Sequence, residues 1–111
     1  MLAKEARLKK QNIQYLLKKG DLRHTPFFII REKSNIHNYA RFGVIISKKL
    51  LVKAIDRNKL RRQIYNAIKE LALENPEITE NSHDRILIPK KSILKSDFQS
   101  IKNALKHLLN G

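Results

Sequence analysis

Between Lys48 and Lys69 the chain carries eight basic residues and a single acid, Asp56, and an apolar stripe at helical spacing (Leu60, Ile64, Ala67, Ile68, Leu71) starts within the same stretch. This combination restricts the fold more than any other feature. A helix from about Asp56, a plausible N-cap, must bury the stripe against another element while its other side stays in water. At about 100° per residue, Asn58, Arg62, Tyr65 and Lys69 fall roughly opposite the stripe, with Arg57 and Arg61 toward its flank. The segment therefore predicts a helix of about four turns with one face for a core and one for a partner.

The sign of the outer face carries the functional argument. A merely solvated helix face usually mixes acids and bases for i,i+4 pairing, yet Arg57 to Lys69 contains no acid. Like charges at i,i+4, such as Arg57 and Arg61, destabilise an isolated helix by about a few tenths of a kcal/mol, a cost best explained by a polyanionic partner. Arginine offers forked donors for phosphate oxygens, asparagine a donor and an acceptor for a sugar or base edge, and lysine a point charge. The whole chain agrees: 24 Lys+Arg against 10 Asp+Glu give a net charge of +14. Glu70 to Asp84, in contrast, holds five acids and no Lys or Arg, so the positive field is focused on particular elements. Nucleic acid is the favoured partner, with an anionic membrane surface as the rival.

The other elements are shorter. Ile13, Leu16 and Leu17 recur at helical spacing before Gly20, which suits a C-terminal cap. Pro26 opens the β-forming run Phe27-Phe28-Ile29-Ile30, and a polar loop, Ser34 to Asn38, precedes a second strand over Arg41 to Ser47. In that strand Phe42, Val44 and Ile46 share one face and Gly43, Ile45 and Ser47 the other, which leaves the second face more open. Residues 74–84 read as a surface loop, and Arg85 to Pro89 as a short strand. Ser96 to Gln99 has capping-box spacing ahead of an amphipathic helix carrying Phe98, Ile101, Ala104, Leu105 and Leu108. A chain of 111 residues with 41% hydrophobic content suits one domain over 1–111 with one modest core.

Several chemistries find no support. There is no cysteine for a disulfide, a thiolate or a Cys-based zinc site, and the three glycines form no phosphate-cradling loop. His24, His37, His83 and His107 lie far apart without flanking carboxylate pairs, so no metal or cofactor site and no catalytic residue is expected in the protein. A self-sufficient nuclease normally clusters carboxylates around divalent ions, and Asp56 stands alone in the basic stretch. No apolar run reaches the roughly 18 residues of a membrane span, and the first residues lack the apolar core of a signal peptide, so the expected location is cytoplasmic. A DNA-binding role is disfavoured, since no helix-turn-helix or dimer-forming heptad is evident.

Ser47-Lys48-Lys49 at a strand end, Lys53, and then Arg57-Asn58-Lys59-Leu60-Arg61-Arg62 resemble the signature of the bacterial ribonuclease P protein family. That signature is a strand ending in a basic pair, a short connector, and an Arg-Asn-Arg core followed by two more basic residues. Here Lys59 replaces the last arginine of the core, which preserves charge but loses bidentate contact. Arg7-Leu8-Lys9-Lys10 before the first helix, the strand pattern, Pro89-Lys90-Lys91 and the terminal helix fall in family order, so the resemblance spans nearly the whole chain.

The resemblance implies an α+β fold: a two-layer α/β sandwich in the order αβ(β)βαβα, of the ribosomal protein S5 domain 2-like type. Its small central sheet would include a left-handed βαβ crossover, whereas pattern alone favours the common right hand. It implies that Lys48, Lys49, Lys53, Arg57, Asn58, Lys59, Arg61 and Arg62 bind RNA, and that a cleft near Ile13, Leu17, Phe28, Lys90 and Lys91 receives the 5′ leader of precursor tRNA. The family usually carries aromatics at the positions of Ile13 and Leu17. Here both are aliphatic, so the stacking of a base, about 1–3 kcal/mol, is missing from those positions. The implied function is that of the non-catalytic protein subunit of the endoribonuclease ribonuclease P, partnered by its catalytic RNA and by precursor tRNA, without membrane or obligate protein partner. Catalysis and Mg²⁺ would belong to the RNA. From the residues alone a ribosomal or other structural RNA-binding protein fits composition and fold equally well.

Overall fold

Apolar residues alternating along three segments pair into a sheet, and helices cover it. In the computed structural model, which describes residues 6–110, the order is α1 (Lys10–Lys19), β1 (Asp21–His24), β2 (Phe28–Ser34), β3 (Arg41–Val44), α2 (Ala54–Glu74), α3 (Glu77–Glu80), β4 (His83–Pro89) and α4 (Phe98–Asn110). A 3-10 turn at Lys91–Lys95 joins β4 to α4. The sheet order is β1-β2-β4-β3, with β4 antiparallel to β2 and parallel to β3, so the path through α2 is a βαβ crossover. The chain has the expected α+β class.

The main core lies on the face covered by α2 and α4. Phe28, Ile30, Phe42, Val44 and Leu87 of the sheet meet Leu60, Ile64, Ala67, Ile68 and Leu71 of α2 and Ile101, Leu105 and Leu108 of α4. The stripe read from the sequence is thus buried as expected. Phe42, Val44 and Ile46 lie in this core, while Gly43 and Ile45 turn to the opposite face. There α1 crosses the sheet, and Leu8, Leu16 and Ile86 form a smaller buried cluster. A Cβ on Gly43 would stand 3.4 Å from side-chain atoms of Ile13 and Leu8, in ordinary packing contact with them.

Several local expectations are corrected. α2 begins at Ala54 with Lys53 as its N-cap, and Asp56 sits in the first turn, where a carboxylate favours the helix dipole. The reason lies in the connector, since Arg57 N–H already donates to Lys53 O at 3.2 Å. Ahead of α4 the capping side chain is Asp97, one residue later than read: its Oδ1 accepts the Ser100 N–H at 2.8 Å, while Gln99 donates to Asn103. Gly20 caps α1 in an extended conformation, and it must be small because a Cβ would approach Leu16 O to 2.6 Å. The 74–84 segment contains α3, whose Ile78 enters the main core, and β4 starts at His83. β1 is a short edge strand with mostly exposed residues, which leaves no hydrophobic alternation to read.

Acids are largely engaged by internal partners. Lys102 of α4 donates to Glu70 at 3.2 Å and Glu74 at 2.6 Å, tying α4 to the end of α2. Glu32 accepts from Arg23 Nε at 2.8 Å and Arg85 Nε at 3.1 Å. Burial by itself would raise the Glu32 carboxyl, but its hydrogen bonds and charge attraction with Arg23 and Arg85 outweigh this and hold it below the ordinary 4.5.

A folded-state value below the unfolded one means stability that is present above the unfolded range and lost as pH falls through the folded value. Glu32→Gln is expected to flatten the acid limb of the stability–pH curve below 4.5 relative to the unsubstituted chain, as measured by urea unfolding across pH. Phe42, fully buried in the main core, sets a second expectation: Phe42→Ala should lower unfolding free energy by about 3–5 kcal/mol in the same assay.

Candidate functional site

The basic residues of the central stretch lie on two adjoining segments, the turn after β3 and the start of α2. Lys48 and Lys49 lie in a turn after β3, which Ser47 closes: its carbonyl accepts the Leu50 N–H at 3.2 Å and its hydroxyl the same N–H at 3.1 Å. Lys53 is exposed at the N-cap of α2, and Asn58, Lys59 and Arg62 are exposed on its first half. With Arg57 and Arg61 half-buried at the flank, all eight residues occupy neighbouring positions on the turn, the connector and the start of α2.

They do not have the same work. Arg57 Nη1 donates to the carbonyls of Leu51 at 2.9 Å and Val52 at 2.7 Å, so this guanidinium holds the connector onto the helix. Arg61 Nη1 donates to Asn58 Oδ1 at 2.8 Å, which orients the asparagine amide and leaves its nitrogen outward-facing for an acceptor. Tyr65, placed with the cationic face by helical angle, is instead 7% exposed and belongs to the main core. A long ring reaches over the helix flank where a short side chain would not. Burial pushes its phenol up, and the Val44 backbone together with the Arg7 and Arg61 charges partly offsets this.

The second surface is the α1 side of the sheet. Cross-strand pairing places Leu22, Arg31, Ile86 and Gly43 in one row, with Lys33, Asp84 and Arg41 on one side of it and His24, Ile29 and Ile88 on the other. Leu16 seals the middle row, and Arg31 Nη1 donates to Gly20 O at 3.2 Å, pinning the end of α1 to β2. Ile13 packs against the small cluster, while Leu17 is 41% exposed. Around them Ile29, Ile45 and Ile88 remain only half-buried, an aliphatic strip that ends near Lys90 and Lys91 at the exit of β4.

Phe28 does not belong to this cleft. It is fully buried among α2 and α4 residues on the opposite side of the sheet, and Ile29 takes the cleft position. Alternation put Phe27 and Phe28 on different faces but could not say which face α1 covers. Ile29, Ile45, Ile88 and Arg31 were missed because their signal is only that of strand core. Among the described residues no three His, Asp or Glu side chains converge as metal ligands.

Comparison with known proteins gives one consistent result. The family model described as Ribonuclease P matches residues 2–111. The ribonuclease P protein component of Mesoplasma florum is 27% identical over 108 residues, covering 96% of this chain and 94% of the relative. That of Syntrophomonas wolfei is 30% identical over 103 residues, covering 92% and 82%. Among solved structures, the ribonuclease P protein of Thermotoga maritima superposes with a TM-score of 0.76 at 26% identity, covering 93% of this chain and 94% of that one. The Staphylococcus aureus protein gives 0.74 at 27%, covering 95% and 93%.

The two kinds of arginine on α2 should separate experimentally. Arg62→Ala is expected to weaken RNA binding and reduce the slope of log affinity against log salt by about one, with thermal stability unchanged. Arg57→Ala should also lower the melting temperature, because two connector carbonyls lose their donor. Salt titrations by fluorescence anisotropy and thermal denaturation read the two effects.

Proposed function

Because the chain belongs to the ribonuclease P protein family and is a subunit of ribonuclease P in tRNA processing, we propose that it acts as a single RNA-binding domain with two separate RNA contacts. Lys48, Lys49, Lys53, Asn58, Lys59, Arg61 and Arg62, with Arg57 as support, grip the catalytic RNA. The α1 side of the sheet receives the 5′ leader of precursor tRNA through Ile13, Leu17 and the Ile29–Ile88 strip, with Lys90 and Lys91 at its end. The observation that carries this reading is the basic run from Arg57 to Lys69 of α2, free of acids and exposed on one side while the helix is anchored by its buried stripe on the other.

Such a surface performs no bond cleavage. Its chemistry is charge compensation: lysine and arginine cations replace condensed counterions along the RNA backbone and lower the repulsion between enzyme RNA and substrate RNA. Hydrolysis would then belong to the RNA subunit, where bound Mg²⁺ would supply water activation and charge stabilisation. The protein's own residues position the leader. A cytoplasmic location suits this role, and among the described residues no helix is long and apolar enough to cross a membrane. A purely structural RNA-binding role, open from composition, gives way to the family membership.

Charge compensation by protein and by divalent ions is interchangeable in part, so the protein's benefit should be greatest when Mg²⁺ is scarce. Multiple-turnover cleavage of a precursor tRNA by a bacterial ribonuclease P RNA is expected to accelerate at low Mg²⁺ when this protein is added, and the gain should shrink as Mg²⁺ rises. Equal rates with and without the protein at low Mg²⁺ would overturn the proposal.

A further inference from the structure

Away from Ile13 and Leu17, the α1 side of the sheet carries aromatic side chains. About 100° per residue separates the flanks of α1: Ile13 and Leu17 lie on one, Asn12 and Tyr15 on the other. On that other flank a groove of about 280 Å³ runs between α1 and the β2–β3 loop, lined among others by Asn12, Tyr15, Lys33, His37, Arg41 and Asp84. Tyr15 is 53% exposed, although an aromatic ring at a surface helix position gains nothing from a core. Across the groove, His37 is backed by the ring of Tyr39, with centroids 5.3 Å apart and planes inclined by 29°. We propose that Tyr15 and the His37–Tyr39 stack form a second stacking site for an unpaired nucleobase of single-stranded RNA.

The loop carrying these rings is preorganised rather than slack. Asn35 Nδ2 donates to Asp84 Oδ1 at 2.7 Å and to Tyr39 O at 3.2 Å, and Asn35 Oδ1 accepts the His37 N–H at 2.9 Å. Asp84 is itself held by Arg41 through Nε at 2.9 Å and Nη2 at 2.7 Å. This closes the charge balance of the groove: its one carboxylate is neutralised by a paired arginine, and exposed Lys33 at the rim leaves a net positive edge for a phosphate. A base entering the groove meets the outer face of His37 and extends the stack, with Tyr15 opposite. Rigid aromatic faces beside a cation suit any base, because every base has a π-face, so the site favours unpaired RNA over a specific sequence.

The inference rests on the reading that the α1 side of the sheet takes the leader, and the test separates the two. Holoenzyme assembled from this protein and a bacterial ribonuclease P RNA is titrated with leaderless tRNA and with precursor tRNA carrying 2-aminopurine in its leader. Tyr15→Ala and His37→Ala are each expected to weaken precursor binding roughly 5- to 150-fold, to relieve quenching of the 2-aminopurine, and to leave leaderless tRNA unaffected. Tyr15→Phe should restore the unsubstituted behaviour, because the ring face is what the base contacts. Full leader-dependent affinity in both alanine variants overturns the stacking site alone. Equal affinity of the unsubstituted holoenzyme for both RNAs overturns the leader reading and the site with it. A change confined to self-association, seen by sedimentation with RNA affinity intact, would assign this face to a protein contact and likewise overturn the proposal.

Discussion

Insertion of β4 between β2 and β3 is the constraint on which the rest of the molecule depends. Ile86 and Leu87, adjacent in β4, are both fully buried, one under α1 and the other under α2 and α4. A strand buried on both faces needs helices on both sides, so the sheet has no face free of protein cover across its centre. The parallel pairing with β3 then requires a long crossover, and α2 is that crossover. Its apolar stripe is consumed by the main core, and its basic side is left to face outward at a fixed distance from the sheet. The outward basic surface is thus a consequence of how β4 is covered.

Charge is divided along chemical lines. Most of the arginines serve the fold: Arg23 and Arg85 hold Glu32, Arg41 holds Asp84, Arg31 ties α1 to β2, and Arg57 holds the connector. A forked guanidinium that can donate in several directions suits these part-buried roles. The lysines of the turn and of α2, together with Arg62, supply the outward field. Acids follow the same logic, since Glu70 and Glu74 tie α2 to α4 through Lys102, and Asp84 braces the β2–β3 loop. The net charge of +14 is therefore concentrated where few acids remain to offset it.

The α1 side combines a stiff base with adaptable contacts. Arg31 pins the end of α1 to β2 and Leu16 closes the middle row, so the helix is fixed between its two flanks. One flank is aliphatic and the other aromatic. Aliphatic contact tolerates varied RNA conformations, whereas ring stacking requires an unpaired base held flat.

The elements with strong periodicity and the position of the charge can be read directly from the residues in order. The Leu60 to Leu71 stripe, the Phe42, Val44 and Ile46 face, the terminal amphipathic helix and the basic run were all legible, because spacing and charge sign are local properties of the chain. The family was legible as a resemblance carried by Lys48, Lys49 and the Arg57 to Arg62 segment. Tertiary structure alone decided which side each face looks toward. Phe28 and Ile29 exchange roles because α1 covers one side of the sheet, Tyr65 leaves the cationic face for the core, and Arg57 gives one guanidinium nitrogen to its own connector. It also gathered Tyr15, His37 and Arg41 around one groove, although they are far apart in the chain. Periodicity states that two faces differ but carries no information about what lies above each, and only the pairing of distant strands supplies it.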